Sequence, residues 1–160
     1  ASGPRLFEES MLPVCSPRLA AELALPLKRP ADLARHTLLH IAMDSDAGGL
    51  PMEWQAWLGA CGLSELQPAA LLSFTSYAEA ITAAVAGQGV ALGRRPLVDG
   101  LLAGGQLVTP FEGETASPRG YQLIVEPSAR ARPAVRAFEH WLLAQAAATS
   151  AAMRREAVAT

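Results

Sequence analysis

The chain has 160 residues, a length that suits one domain, or one domain with a fragment of another. Hydrophobic residues make up 51 % and charged residues 18 %, so the chain can bury a core and is not of the disordered class. Thirteen Lys and Arg against fifteen Asp and Glu give a formal charge of −2, which leaves no basic excess to hold a phosphate backbone.

In chain order, Ser10 to Ser16 is a short apolar run that reads as a buried strand, with Pro13 limiting its donation to a ladder. Ser16 reads as an N-cap with Pro17 at the first helical position, opening a helix through Leu23. Pro30 to Arg35 predicts one helical turn, and Thr37 to Ala42 a second strand. The Gly-rich stretch 44–50 reads as a polar loop. Pro51 opens the next helix, which runs through about Cys61 and stops at Gly62. Trp54, Trp57, Leu58 and Cys61 share one face of it and read as core.

Leu71 to Phe74 predicts a third strand, and Thr75-Ser76 cap a helix from Tyr77 to Ala86. Gly87-Gln88-Gly89 follows a helix and precedes a strand, so it reads as a turn needing positive φ and not as a phosphate cradle. Gly89 to Gly93 predicts a fourth strand, Pro96 to Ala103 a helical segment, Gln106 to Phe111 a fifth strand, and Glu112 to Arg119 a polar loop. Tyr121 to Glu126 predicts a sixth strand. A last helix opens near Pro133, with Val135, Phe138, Leu142 and Gln145 on one face and Trp141 beside it. Alternating strands and helices specify an α/β fold with parallel pairing.

Motifs for catalysis are missing: the sequence holds no GxSxG elbow, GxGxxG fingerprint or Walker loop. A structural zinc site needs about four ligands in close pairs. Cys15, Cys61, His36, His40 and His140 lack that spacing, so no metal or cofactor is expected and the cysteines read as reduced thiols. Asp44 and Asp46 read as a solvated loop. No apolar run reaches the roughly 20 residues that span a bilayer. The first ten residues show no signal peptide and no initiator Met, and the chain is expected to be a piece of a longer one.

The feature most suggestive of binding is Thr75-Ser76-Tyr77, between a strand and a helix. Ligands of open α/β sheets bind outside the carboxyl ends of the strands. A helix N-terminus there offers amides and partial positive charge to an anion, and the hydroxyls of Thr75 and Ser76 can donate or accept. Arg94 and Arg95, after the fourth strand, sit at the same sheet edge, where a guanidinium could pair a carboxylate.

Eight blocks in order carry a family resemblance: Leu12 to Pro17, Pro30 to Leu33, Thr37 to His40, Trp54 to Leu58, Ala83 to Gly93, Leu107 to Phe111, Tyr121 to Val125, and Phe138 to Leu142. From about Leu6 to Leu143 the chain resembles the regulatory half of LysR-type transcriptional regulators, nearest the glycine-cleavage-activator and beta-lactamase-regulator branch. The resemblance implies a type 2 periplasmic-binding-protein-like fold, with a mixed, mostly parallel sheet flanked by helices. It implies a first crossing strand over 1–11, a second regulatory lobe over 12–111, a return hinge strand and C-terminal helix of an incomplete first lobe over 112–146, and a tail over 147–160.

The function implied is that of an effector-binding regulatory domain sensing a small, anionic metabolite, in a cytoplasmic transcription factor that is not an enzyme. The effector would meet Thr75, Ser76, Tyr77, Arg94 and Tyr121. DNA would be bound through a winged helix-turn-helix with no counterpart here, in a homodimer or tetramer, with no membrane contact. The alternative is a lobe of an extracytoplasmic solute-binding protein. With most of the first lobe lacking a counterpart, the final helix is expected to pack on its own lobe or on another copy.

Overall fold

The computed structural model describes residues 3–42 and 49–158, except the side chains of Pro118 and 153–158. The stretch around Asp44 and Asp46 therefore lies outside the described residues. Two compact units form: Met11–Thr115, and a second built from Ala1–Ser10 with Ala116–Thr160. Strand β1 (Arg5–Val14) runs from one into the other.

The larger unit is an α/β sandwich. Its strands are the end of β1, β2 (Thr37–Ile41), β3 (Ala70–Phe74) and β4 (Val90–Arg95), in the order β3-β2-β4-β1. β2 pairs in parallel with both β3 and β4, with Leu38 opposite Leu71 and Val90. Period-two alternation sends neighbouring residues to opposite faces. Leu39 and Ala91 join Leu12, Val14 and Ile81 in one core, under α3 (Tyr77–Val85). Leu38, Val90 and Leu92 join Trp54, Trp57 and Leu58 in the other, under α2 (Met52–Ala60). The sequence explains this division: β2 and β4 are apolar at consecutive positions, as strands covered on both faces must be.

The local signals act as the sequence analysis expects. Ser16 Oγ accepts from the Leu19 amide at 3.2 Å and Pro17 opens α1 (Pro17–Ala20), which ends short of Leu23. Residues 30–35 form a single 3₁₀ turn, held by the Asp32 carboxylate accepting from the amides of Lys28 and Arg29, both at 2.9 Å. Those amides hold the Asp32 pKa below its ordinary value, with help from Arg29 and Arg35. Gly87 has φ +79°, the conformation expected of that turn. Both indoles are buried and their N–H groups are met: Trp54 Nε1 donates to the Leu39 carbonyl at 3.1 Å, and Trp57 Nε1 to that of Gly113 at 3.0 Å. Cys15 and Cys61 are free thiols; burial pushes the Cys15 pKa up to about 11 and also raises that of Cys61.

Two elements differ from expectation. Residues 106–111 make no strand: after α4 (Asp99–Ala103) they contribute one antiparallel bridge, Cys15 to Val108, with amide–carbonyl distances of 3.1 and 2.9 Å. Pro110 lacks the N–H that would carry the ladder on. The stretch expected to be a polar loop instead yields β5 (Thr115–Gln122), which ends before most of the predicted sixth strand. β5 lies at the edge of the sheet order, beside β1, where Pro118 and Gly120 are tolerated.

The smaller unit consists of the start of β1, β5, a short 3₁₀ turn at Pro127–Ala129 and the long α5 (Pro133–Val158). The Leu123 amide bonds the Pro4 carbonyl at 3.0 Å, extending the pairing of β1 with β5. Phe138 and Trp141 stack on each other with centroids 5.6 Å apart, yet stay 57 and 54 % exposed. Two coverings are expected for this face, its own lobe or another copy; the described residues of the chain leave these two side chains more than half exposed.

Candidate functional site

The carboxyl edge of the parallel strands gathers most of the residues singled out in sequence. β3 ends at Phe74, so Thr75 and Ser76 lie at its exit and Tyr77 starts α3. β4 delivers Arg94 to the same edge, and the exit of β2 leads to α2, whose first turn carries Glu53. Tyr77 is the hinge pin of the group. Its hydroxyl accepts from the Arg94 amide at 2.7 Å, and the Arg94 guanidinium lies over its ring, 4.9 Å from the centroid.

Arg94 is already engaged. Nη2 donates to Glu53 Oε1 at 2.7 Å, with the two side chains 14 and 31 % exposed. Its Nε is buried and has no acceptor among the described residues, a donor that calls for a partner. The neighbouring Arg95 is committed elsewhere, to Asp99 at 2.6 Å and Glu114 at 3.8 Å.

The α3 N-terminus is also occupied. Ser76 Oγ accepts from the Glu79 amide at 3.3 Å, and Glu79 Oε2 accepts from the Ser76 amide at 3.1 Å and from the Thr75 hydroxyl at 2.9 Å. This reciprocal capping box places the chain's own carboxylate where an anion was expected. The hydroxyls of Thr75 and Ser76 lower the Glu79 pKa below its ordinary value. Thr75 and Ser76 are themselves exposed. Sequence reasoning missed Glu79 and Glu53. The first was legible in the spacing Ser76-x-x-Glu79; the second had no signal, because only the fold brings α2 to Arg94.

Tyr121 belongs to the smaller unit. There its ring lies 4.6 Å from that of Phe7, and its hydroxyl donates to Glu9 Oε2 at 3.4 Å. Among the described residues, no group of three or more His, Cys, Asp and Glu is placed to hold a metal, and no helix is long and apolar enough to cross a membrane.

A parallel α/β lobe with hydroxyls, a helix N-terminus and an arginine at its carboxyl edge defines a class: ligand-binding lobes of the periplasmic-binding-protein type. Comparison with known proteins makes this specific. A family described as the LysR substrate binding domain matches residues 3–147, and the chain belongs to that family. It is 37 % identical over 144 residues to the glycine cleavage system transcriptional activator of Escherichia coli, covering 90 % of this chain and 45 % of that protein. To the transcriptional activator AmpR of Enterobacter cloacae it is 33 % identical, covering 86 % of this chain and 44 % of that one. The chain thus spans a little under half the length of these relatives.

Among solved structures, the effector domain of AmpR from Pseudomonas aeruginosa superposes with a TM-score of 0.75 at 32 % identity, over 94 % of this chain and 68 % of that one. The effector-binding domain of AmpR from Citrobacter freundii gives 0.70 at 29 %, over 92 % of this chain and 68 % of that one. The fold is therefore that of a LysR-type effector-binding domain, and its relatives are transcriptional regulators.

Proposed function

We propose that this chain senses a small anionic metabolite for a cytoplasmic, non-catalytic transcription regulator. In this reading DNA is bound by a segment outside these residues, and the regulator works as a homodimer or tetramer. The observation that carries the ligand assignment is the unmet, buried Nε of Arg94, at the strand edge where Thr75, Ser76 and Tyr77 converge. A carboxylate would take Arg94 from Glu53, or take the donors of Thr75 and Ser76 from Glu79. Either exchange swaps an internal ion pair or cap for an external one, so the protein is at its most responsive where its own acids act as stand-ins. Tyr121 is proposed as an effector contact through its phenol.

Near-neutral charge fits this division of labour, because the chain has no basic excess of its own to hold DNA. The exposed Phe138 and Trp141 fit it also, as a face to be covered in the assembled regulator. The test is a thermal-shift screen of organic acids and amino acids on the full-length protein, followed by calorimetry. A hit should weaken about tenfold or more in Ser76→Ala and in Arg94→Met, the expected loss of one charge-assisted hydrogen bond. A screen in which hits bind both variants as tightly as the parent refutes the assignment.

A further inference from the structure

The stretch 111–115, between the bridge at Val108 and the start of β5, is gripped from two sides. From α2, Trp57 Nε1 donates to the Gly113 carbonyl at 3.0 Å, and the same indole lies 5.8 Å from the Phe111 ring. From β4, Arg95 Nη1 stands 3.8 Å from Glu114 Oε2, while its Nε holds Asp99 at 2.6 Å. Gly113 has φ +138°, and a Cβ built there would lie 3.2 Å from Trp57 Cζ2. Glycine takes that φ without strain and leaves the indole its place, so the sequence is fitted to this grip.

Both grips adjoin the Arg94–Glu53 pair. Arg95 follows Arg94 on β4. Trp57 follows Glu53 by four positions, one turn along the same face of α2. The N-cap of α2 is Pro51, whose side chain makes no capping bond, and the Glu53 carboxylate, 2.7 Å from Arg94 Nη2, ties that first turn to β4. Next to Glu53, Trp54 bonds the Leu39 carbonyl at 3.1 Å, and the Trp57 ring lies edge-on to the Trp54 ring at 6.1 Å. Both indoles are buried. A close-packed pair of that size passes a tilt of its helix on to its contacts, because the interior has no free volume to absorb it.

We propose that 111–115 is a strap that reports the state of the Arg94–Glu53 pair to the start of β5. With the pair made, α2 and β4 hold the strap in place. With the pair broken, α2 tilts and the bond from Trp57 to Gly113 opens. That an effector works the strap by taking Arg94 from Glu53 rests on the proposed function; the mechanical coupling does not.

Amide hydrogen exchange on the full-length protein, read by mass spectrometry on peptides covering 109–117, tests the coupling without any ligand. Glu53→Gln should speed exchange there by about threefold or more, while peptides from α3 keep the parent's rates. Trp57→Phe, which keeps an apolar ring and removes the N–H, should speed it by about tenfold. Glu53→Gln added to Trp57→Phe should then bring no further increase. That non-additivity separates a relay from two independent weakenings of the fold. If Trp57→Phe does not fold, Phe111→Leu takes its place in the cycle, with a smaller change in the same direction. Parent-like exchange in Glu53→Gln overturns the strap, as do two single effects that simply multiply in the double variant. A strap that passes these tests in a protein whose carboxylate binding survives Arg94→Met refutes instead the reading of Arg94 as the effector's partner.

Discussion

Glu53→Gln separates the two roles open to Arg94. In the parent, Glu53 Oε1 holds Nη2 at 2.7 Å, with the side chains 31 and 14 % exposed. Breaking a fully buried pair costs about 3–5 kcal/mol, whereas an exposed pair contributes about 0.2–1 kcal/mol. A carboxylate almost one-third exposed lies between these limits, and the replacing amide oxygen still accepts one bond. The expected loss is about 1–2 kcal/mol, or about 2–8 °C in Tm for a chain of this length. If Arg94 is the anion's partner, the same change releases its guanidinium, and affinity for a carboxylate ligand should rise by up to about tenfold. Differential scanning calorimetry reads the first effect and titration calorimetry the second. The double variant Glu53→Gln with Arg94→Met should recover part of the lost stability, since no charge is then left half-buried without its partner. Lower Tm with unchanged or weaker ligand binding refutes the exchange mechanism and makes the pair structural. An unchanged Tm refutes the energetic argument itself.

At the α3 N-terminus, Ser76→Ala should cost about 1 kcal/mol through the lost cap, measured by urea denaturation, while Glu79→Gln should admit a carboxylate ligand more readily. The lowered Glu79 pKa means its stabilising contribution is present above the ordinary carboxylate range and is lost as pH falls through the lowered folded value; Glu79→Gln should flatten that acid limb. Trp54→Phe leaves the Leu39 carbonyl without its donor and should destabilise by about 1–3 kcal/mol, more than a Phe replacement at an indole open to water. For Cys15 the folded pKa stands at about 11 against an ordinary 9.0, so the native state holds a proton that the unfolded state releases. Stability should be insensitive to this thiol below pH 9.0, fall between 9.0 and about 11, and lose that slope in Cys15→Ala. Phe138→Glu combined with Trp141→Glu should shift the chain toward monomer in sedimentation velocity. A parent chain that is monomeric at every concentration refutes the covered-face argument.

The larger unit was legible because its signals are local and agree with one another. Ser16-Pro17, Pro51 and Ser76 mark helix starts, Gly62 and Gly87 mark stops, and the consecutive apolar positions of β2 and β4 announce strands covered on both faces. What failed was decided by tertiary pairing. Residues 106–111 have the composition of a strand, but Pro110 stops their ladder after one bridge. The stretch from Thr115 to Gly120 has the composition of a loop and becomes β5 because β1 lies beside it.

The site was legible as a set of donors and not as a set of pairs. Thr75, Ser76, Tyr77 and Arg94 can be placed at a strand edge from the order of elements alone. Glu79 can also be placed, from its spacing to Ser76, but Glu53 cannot, because it reaches Arg94 across 41 positions. Once those acids are counted, the Thr75 hydroxyl, the Ser76 amide and Arg94 Nη2 are each seen to carry an internal acceptor, while Arg94 Nε is not. On the proposed reading an effector would not add a charge to an open cradle; it would compete with Glu53 and Glu79 for partners already taken. Its net binding energy would then be the difference between two similar interactions, which favours modest affinity and a strong dependence on ligand geometry. On the proposed reading the same exchange would give the effector leverage, because α2 is tied to β4, and the start of α3 to its own first turn, by the bonds it would replace. A ligand that took Arg94 from Glu53 would loosen α2, and one that took Thr75 and Ser76 from Glu79 would loosen the first turn of α3. Binding and conformational change would then draw on the same few hydrogen bonds.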